Sequence, residues 1–175
     1  MNNIKFIVLN KFRANQSETG FTLIELLMVV ILVGILSAIS LPQFLAQTSR
    51  ARQTEAEITL GAINRAQQVY RLENSQFGTL NQLATTGNIS VTATGDFYQF
   101  SATPDTSSPA NIATAIATSN LGFTDEILDY ETAIFMDGNG ALYSVTCRAD
   151  NPSVTPLADA NPSVTNACVN GAEVR

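Results

Sequence analysis

The sequence predicts an α+β fold in which a long N-terminal α-helix carries a small antiparallel β-sheet head on its second half. The chain has 175 residues, 45% of them hydrophobic, and the apolar residues are concentrated between Phe21 and Leu41, where Glu25 is the only charged residue. Helical periodicity continues to about Glu73, whereas short alternating segments rich in β-formers follow Asn74. We therefore expect the first half of the helix to lie in a membrane and the second half to pack against the head.

Charge is distributed as unevenly as hydrophobicity. Lys5, Lys11 and Arg13, against Glu18 alone, make the first twenty residues basic, whereas the remainder has six basic and 14 acidic residues. Because an acidic surface repels phosphate backbones, non-specific binding of nucleic acid is disfavoured, and the sequence does not directly indicate nucleic acid as a partner. The chain has no His, and its residues show neither a nucleophile–base pair nor a phosphate-binding glycine loop. We therefore predict that the protein is not an enzyme and has no catalytic residue and no cofactor.

The apolar segment is long enough to span a bilayer. As a helix its 21 residues measure about 31 Å. Basic residues precede it, and by the positive-inside rule they place the N-terminus in the cytoplasm. Small residues lie at the end of the segment, at 37–40, so cleavage of an ordinary secretory signal at that point is the alternative.

The residues that begin this segment form a specific motif. The run Thr-Gly-Phe-Thr-Leu-Ile-Glu-Leu-Leu at residues 19–27 resembles the processing site of type IV prepilins, the family that includes major and minor pilins and secretion pseudopilins. The resemblance implies a pilin fold, cleavage between Gly20 and Phe21 by a prepilin peptidase, and N-methylation of Phe21. Residues 1–20 would then be a leader peptide. Glycine suits such a junction because its bare backbone can lie extended in a protease cleft.

Glu25 is the residue that is least favourable in a membrane. A carboxylate within a membrane helix costs about 2.5–3.5 kcal/mol on insertion scales, so such a residue is usually paired or functional. The resemblance implies an assembly role, in which Glu25 of an incoming subunit neutralises the terminal amine at Phe21 of the subunit already docked. The alternative is that Glu25 lies near the helix end and reaches the lipid headgroups.

Gly34 and Pro42 bracket a weak stretch of the helix. Pro42 has no N–H to donate to the carbonyl of Ala38, so we expect a kink or local break there. In filaments of the family that the motif resembles, the corresponding stretch can lose its helical hydrogen bonds, which lets the filament stretch. A harmless kink near the membrane surface is the alternative.

Residues 42–74 are predicted to form the amphipathic half of the helix. We expect the head to cover an apolar stripe that comprises Phe44, Ala51, Ile58, Ala62, Ala66, Val69 and Leu72, widened by Ile63 and Tyr70. The opposite side holds Glu57, Asn64, Gln68 and Arg71. The charged stretch 50–57 is a candidate for contacts between subunits.

Residues 75–175 are predicted to form the head. The expected elements are a helical turn at 79–86 ended by Gly87-Asn88, strands at 89–93 and 97–103, a surface loop at 104–120, and strands at 133–136 and 141–147. The turn Asp137-Gly138-Asn139-Gly140 joins the last two as a hairpin. It lacks the ligand spacing of a calcium loop, so we predict no metal site. From Arg148 onward we expect a tail rich in Pro, Asn and Ala.

Cys147 and Cys168 are the only cysteines of the chain. A disulfide between them is the simplest pairing and would place the head in an oxidising compartment. The alternative is two unrelated thiols. With two Cys and no His, a zinc site is improbable because structural zinc takes four such ligands.

The resemblance implies a structural subunit of a type IV pilus, which serves adhesion, twitching motility or DNA uptake. Its partners would be further copies of itself in a helical filament, the bacterial inner membrane, prepilin peptidase, and an assembly machinery with cytoplasmic ATPases. After assembly it would lie on the cell surface. Within the same superfamily the alternative is a minor pilin or a type II secretion pseudopilin. From another class, the alternative is a membrane-anchored extracytoplasmic binding module.

Overall fold

One uninterrupted helix forms the N-terminal part of the fold. In the computed structural model, which describes residues 20–87, 89–104, 111–152, 157–158 and 168–174, helix α1 runs from Leu23 to Asn74. This confirms the predicted long helix and its end near Glu73. The helix includes Pro42, although the proline ring removes one backbone hydrogen bond at that point. The basic residues of the predicted leader lie outside the described residues.

The chain divides into two units, residues 1–43 and 44–175. In the first unit, the described helix carries Leu, Ile, Val and Met around its whole circumference, and these side chains are exposed. Among the described residues, α1 is the one helix that is long and apolar enough to cross a membrane. Its most apolar stretch is not buried. Such a surface requires lipid or other apolar helices around it.

The second unit contains the rest of α1 and the head. The helix ends where Ser75 adopts a positive φ of 58°. The remaining elements are α2 (Leu80–Thr85), β1 (Tyr98–Pro104), β2 (Ile112–Ser119), β3 (Tyr130–Met136), β4 (Leu142–Ala149), β5 (Leu157–Ala158), β6 (Cys168–Val169) and β7 (Gly171–Glu173).

Five strands form one antiparallel sheet in the order β1-β2-β3-β4-β7. The first four are neighbours in sequence, whereas β7 returns to the edge of β4 and pairs Glu173 with Cys147. Strands β5 and β6 form a separate two-stranded sheet. The antiparallel sheet and the long helix confirm the predicted α+β class.

The sheet packs on a different face of α1 from the one that the sequence predicts. Ile63, Ala66 and Tyr70 of the predicted region are buried, but Phe44, Ile58, Val69 and Leu72 are exposed. The buried face is formed by Ala56, Leu60, Ile63, Asn64, Ala66, Gln67 and Tyr70. Against it lie Tyr98, Phe100, Ala102, Ala115, Ala117 and Tyr130 of the sheet.

The prediction was wrong because this half of the helix is apolar on two sides. The sheet covers the side on which the buried polar side chains have hydrogen-bond partners. Asn64, predicted to face away from the head, is buried and donates to the hydroxyl of Thr132 over 2.7 Å. A buried amide that is hydrogen-bonded costs little, so a polar residue does not mark the solvent side by itself.

Strand β2 corrects the predicted surface loop at 104–120. Its Ala113, Ala115 and Ala117 are buried and alternate with less buried residues. Alanine has a low β-propensity, but small side chains on this face allow close packing. Packing therefore outweighs the propensity in this strand. The part of the predicted loop at 105–110 lies outside the described residues.

The other head elements are mostly as predicted. Thr79 caps α2 in a capping box with Gln82, and Gly87 follows with φ of 77°. The β3–β4 hairpin is confirmed around its Asp137 turn. The predicted strand at 89–93 is wrong, because these residues are irregular, and the isolated bridge between Thr94 and Gln99 lies just after them. The predicted tail after Arg148 instead contributes β7 to the sheet.

Candidate processing and assembly site

The start of α1 is fixed by a capping box. The hydroxyl of Thr22 accepts a hydrogen bond from the backbone N–H of Glu25 over 3.3 Å. In return Glu25 Oε2 accepts from the backbone N–H of Thr22 at 3.0 Å and from its hydroxyl at 2.9 Å. This reciprocal pair satisfies donors that a helix N-terminus otherwise leaves free.

Glu25 therefore has a local role that the sequence reasoning missed. The motif Thr-x-x-Glu before an apolar run is a sequence signal for a capping box, and residues 22–25 contain it. Both hydrogen bonds that the Glu25 carboxylate accepts use Oε2, and within the described residues Oε1 has no hydrogen-bond partner. The cap orients the carboxylate and leaves one oxygen free to accept further donors.

Gly20 and Phe21 lie immediately before the helix in irregular backbone. The side chain of Phe21 is 88% exposed. A Cβ added to Gly20 would have no neighbouring heavy atom within 4 Å. Packing among the described residues does not require glycine here, so the reason for it must lie in conformation or in another molecule.

Gly34 and Pro42 both lie within α1, in its first unit. A Cβ added to Gly34 would likewise meet nothing within 4 Å. Near the proline, the hydroxyl of Ser40 donates to the carbonyl of Ser37 over 3.3 Å. The described segment remains helical through both predicted weak points.

Cys147 and Cys168 are joined by a disulfide, and their Cα atoms are 5.6 Å apart. Cys147 is fully buried in β4 beside Ala133 and Val145, whereas Cys168 in β6 is half-buried. The bond links the small β5–β6 sheet to the main sheet. Most of the loop that it closes lies outside the described residues.

Arg52 and Glu55 tie the helix to the loops of its own head. The guanidinium of Arg52 forms an ion pair with Glu126 and lies over the rings of Phe97 and Phe123, at 5.4 and 4.7 Å from their centroids. Glu55 accepts hydrogen bonds from the backbone N–H groups of Asp96 and Phe97, both over 2.9 Å. Charge-assisted bonds of this kind are stronger than neutral ones.

Tyr130 makes a third such connection. Its hydroxyl lies 3.1 Å from Gln53 Oε1 and 3.2 Å from Glu57 Oε1. Burial, reinforced by the Glu57 charge, raises the pKa of Tyr130 well above its ordinary value. The charged stretch 50–57, a candidate for subunit contacts in the sequence, thus mainly holds its own head. Within the described residues Arg50 makes no ion pair or side-chain hydrogen bond.

The Asp137 turn is held by its own carboxylate. Asp137 Oδ1 accepts from the backbone N–H groups of Asn139 and Ala141, at 2.9 and 2.8 Å. In the part of the chain that the structure describes, His, Cys, Asp and Glu side chains form no group of three that could hold a metal ion.

Two family models match the chain. The model described as type IV pilin-like G and H matches residues 53–170. The model of the prokaryotic N-terminal methylation motif matches residues 15–41. The two matches cover the head with the second half of the helix and the apolar first half, respectively.

Each match to a curated relative covers only part of this chain and part of the relative. The type IV major pilin protein PilA of Myxococcus xanthus is 42% identical over 65 residues, 37% of this chain and 30% of the relative. The type II secretion system core protein G of Vibrio cholerae is 36% identical over 67 residues, 38% of this chain and 46% of that protein. The type IV wide pilus major component PilA4 of Thermus thermophilus is 38% identical over 69 residues, which are 39% of this chain and 52% of that protein.

The matched segments thus span between about a third and a half of these relatives. The named relatives are two pilus proteins and a core protein of a secretion system. No solved structure matches the chain with significance. The family model covers more than half of the chain, the methylation motif overlaps the capping box, and the helix and sheet have the expected arrangement. The chain belongs to the type IV pilin-like family.

Proposed function

We propose that this chain is the structural subunit of a type IV pilus, made as an inner-membrane precursor and assembled into a helical filament of identical copies. Residues 1–20 are the leader that prepilin peptidase removes, and Phe21 becomes the methylated N-terminus. Residues 21–41 are the membrane and assembly half of the helix, 42–74 its amphipathic half, and 75–175 the head. Cytoplasmic ATPases of the assembly machinery drive the process, and the filament serves adhesion, twitching motility or DNA uptake.

The geometry of Glu25 is the observation that carries this proposal. A membrane anchor needs no carboxylate, yet Glu25 lies in an otherwise apolar, exposed helix and keeps Oε1 available. Cleavage after Gly20 creates an ammonium at Phe21, and N-methylation keeps its charge. Pairing of this charge with Glu25 of a neighbouring copy sets the register between subunits, and it neutralises two charges that lipid and packed helices both disfavour.

The capping box allows the charge of Glu25 to be separated from its local role. Glu25→Gln keeps a side-chain acceptor at the third helical position, which a capping box accepts, but removes the charge. Thr22→Ala removes the cap, at about 0.5–2 kcal/mol of helix stability, but keeps the charge. We expect both variants to be cleaved, Glu25→Gln to form no filaments and Thr22→Ala to form them.

Filament yield by electron microscopy and cleavage by gel shift give the readout. Normal filaments from Glu25→Gln would overturn the role of the charge. Loss of filaments in Thr22→Ala alone would assign Glu25 to helix capping and not to assembly. Mass spectrometry of the mature chain tests processing separately, with methylated Phe21 expected and an intact Met1 contradicting the proposal.

A type II secretion pseudopilin or a minor pilin is the second candidate. The similarity to type II secretion core protein G favours it specifically. Deleting this chain and imaging the cells distinguishes the candidates. Cells without pili indicate the major subunit, sparse pili of normal form indicate a minor pilin, and normal pili with a secretion defect indicate a pseudopilin.

The stretch from Gly34 to Pro42 is part of the same proposal. A Cβ added to Gly34 would meet nothing within 4 Å, so packing in the free chain does not require glycine there. Pro42 has no N–H, so the helix lacks one backbone hydrogen bond at that position. We infer that this stretch gives up helical hydrogen bonds within the filament. Gly34→Ala with Pro42→Ala should yield filaments that extend less under load in an optical trap.

A further inference from the structure

An open cleft of about 660 Å³ lies between the second half of α1 and the sheet. The helix contributes Arg50, Gln53 and Glu57 to its lining, and Leu128 and Arg148 contribute from the head. All of these residues belong to the second unit of the chain. The volume is in the range of clefts that hold small ligands.

The described lining of the cleft has one net positive charge, because it contains two guanidinium groups and one carboxylate. The chain beyond residue 20 is otherwise acidic, with six basic and 14 acidic residues. An anion is repelled by most of such a surface and attracted to a positive site within it. The cleft is therefore suited to a ligand with one negative charge.

Arg50 is available to bind such a ligand. Its side chain is exposed and makes no ion pair or hydrogen bond within the described residues. By contrast, the neighbouring Arg52 is paired with Glu126, and Arg71 donates to the side chain of Asn111. Arg50 thus contributes a positive charge that the described fold does not use.

Arg148 is held in place on the other side of the cleft. Its guanidinium is hydrogen-bonded to the hydroxyl of Tyr130, and that hydroxyl lies 3.1 Å from Gln53 Oε1 and 3.2 Å from Glu57 Oε1. A guanidinium has five N–H donors, so Arg148 keeps donors for a ligand. The contact with Tyr130 therefore orients Arg148 without exhausting it.

The cleft begins close to the point where the helix becomes polar. Phe44 and Leu45, which begin the second unit, are apolar and 63% and 58% exposed. Arg50 follows Leu45 by five residues, about 7.5 Å along a helix. The headgroup layer of a bilayer is about 5–8 Å thick on each side, and an arginine side chain reaches back toward it. In a membrane precursor, the cleft thus opens at the level of the lipid headgroups.

Guanidinium groups bind phosphate oxygens through paired, charge-assisted hydrogen bonds. A phosphodiester carries one negative charge, which matches the net charge of the cleft. A phosphate with a single ester bond carries about 1.5–2 negative charges at pH 7, and the carboxylate of Glu57 disfavours the excess. The charges therefore favour a lipid phosphodiester over a free phosphate.

We propose that the cleft binds the phosphodiester headgroup of an anionic phospholipid, with Arg50 and Arg148 as its phosphate ligands. This inference rests on the proposed function, because it requires a precursor that spans the membrane with its head outside the cytoplasm. It also goes beyond that function, since neither cleavage nor assembly calls for a particular lipid. The bound lipid joins α1 to β4 and fixes the height of the head above the bilayer.

Native mass spectrometry of the full chain in detergent, titrated with phosphatidylglycerol or phosphatidylcholine, tests the site. We expect one retained phosphatidylglycerol, and weaker retention of phosphatidylcholine, whose headgroup has no net charge. Arg50→Gln should lower the affinity for phosphatidylglycerol about fivefold. Arg65→Gln is the matched control, since it removes an exposed arginine of the same helix that does not line the cleft, and it should change nothing. Equal affinities of the two variants, or of the wild-type chain for the two lipids, would overturn the inference.

Arg148→Gln should cause a similar loss of affinity, and its urea midpoint shows whether the head stays folded without the contact to Tyr130. Arg50 makes no such contact, so Arg50→Gln keeps the inference falsifiable if Arg148→Gln unfolds. Inorganic phosphate in large excess should not displace the lipid. Displacement would assign the cleft to free phosphate and overturn the lipid assignment.

A phosphatidylglycerol with a photoreactive headgroup locates the site in vesicles. The expected cross-linked peptides contain residues 46–57 or Arg148, and cross-links exclusively to residues 21–41 would overturn the inference. Filament formation is scored separately. If the wild-type chain forms filaments but does not prefer phosphatidylglycerol, the lipid site is wrong and the filament function stands. If it binds the lipid through Arg50 but never assembles with its machinery present, the filament function fails and the lipid site stands.

Discussion

The side-chain amide of Gln67 pairs with the backbone of Gly78 as a second strand would. Gln67 Nε2 donates to the carbonyl of Gly78 over 2.6 Å, and the N–H of Gly78 donates to Gln67 Oε1 over 2.9 Å. Gln67 is 1% exposed, so both groups are sealed from water. This pair fixes the chain where it leaves the helix and enters the head.

We expect Gln67→Ala to destabilise the protein by about 2–4 kcal/mol, because it leaves two backbone groups of Gly78 buried without partners. Urea unfolding of the full chain in detergent, followed by near-ultraviolet circular dichroism, measures the effect. Gln68→Ala is the matched control, since its neighbouring side chain makes no hydrogen bond within the described residues and should cost under about 0.5 kcal/mol. Equal losses in the two variants would contradict the role of the pair.

Gly78 has a second constraint, which is steric. An added Cβ would lie 3.0 Å from Cε1 of Tyr70 and 3.3 Å from Cδ2 of Leu83, and both of these side chains are buried. We expect Gly78→Ala to cost about 1–3 kcal/mol through overpacking, measured by the same urea titration. Gly122→Ala, with nothing within 4 Å of its added Cβ, should be neutral. A stable Gly78→Ala would show that the ring shifts freely.

Removing the disulfide should destabilise the head by about 3 kcal/mol, since the cysteines are 21 residues apart in sequence. The pair of substitutions Cys147→Ala and Cys168→Ala avoids leaving a lone thiol. Its urea midpoint should coincide with that of the wild-type chain under reducing agent and should not respond to reducing agent itself. A wild-type chain that unfolds at the same urea concentration with and without reducing agent would refute the prediction.

Stability should fall in alkaline solution. Burial, as the main cause, raises the pKa of both Tyr98 and Tyr130 above the usual value of about 10. The folded state therefore favours the neutral phenol, so the stabilisation is complete below about pH 10 and is lost as pH rises through the folded-state pKa.

The double variant Tyr98→Phe with Tyr130→Phe has no phenol to ionise at these positions. We expect its urea midpoint to start lower, because the hydrogen bond from Tyr98 to the carbonyl of Leu128 is lost, but to decline less steeply above about pH 10. Parallel declines in the wild-type chain and the variant would show that other groups control the alkaline transition.

The sequence predicts elements best where a local signal defines them. Thr79 and Gly87 delimit α2, and Asp137 begins the hairpin turn, because caps and turns depend on neighbouring residues. The motif around Gly20 identified the family for the same reason. The capping role of Glu25 has a local signal too, which is the Thr-x-x-Glu pattern at residues 22–25.

Where tertiary contacts determine an element or a buried face, the prediction from sequence was wrong. Strand β2 exists because alanines fit against its neighbours, which propensity does not report. Which apolar side of α1 is buried depends on the hydrogen bond from Asn64 to Thr132, a residue 68 positions away in the sequence. The role of Arg52, which contacts two rings and an acid from two separate segments, is likewise visible only after folding.

Strand β7 has a consequence for the timing of folding. It follows every other described strand in chain order, and it pairs with β4, from which β5 and β6 separate it in the chain. A chain that emerges N-terminus first therefore presents β4 as an open edge until residues 171–173 arrive. An open strand edge recruits other chains. Chains are thus most vulnerable to mispairing with one another in the interval between synthesis of β4 and synthesis of β7.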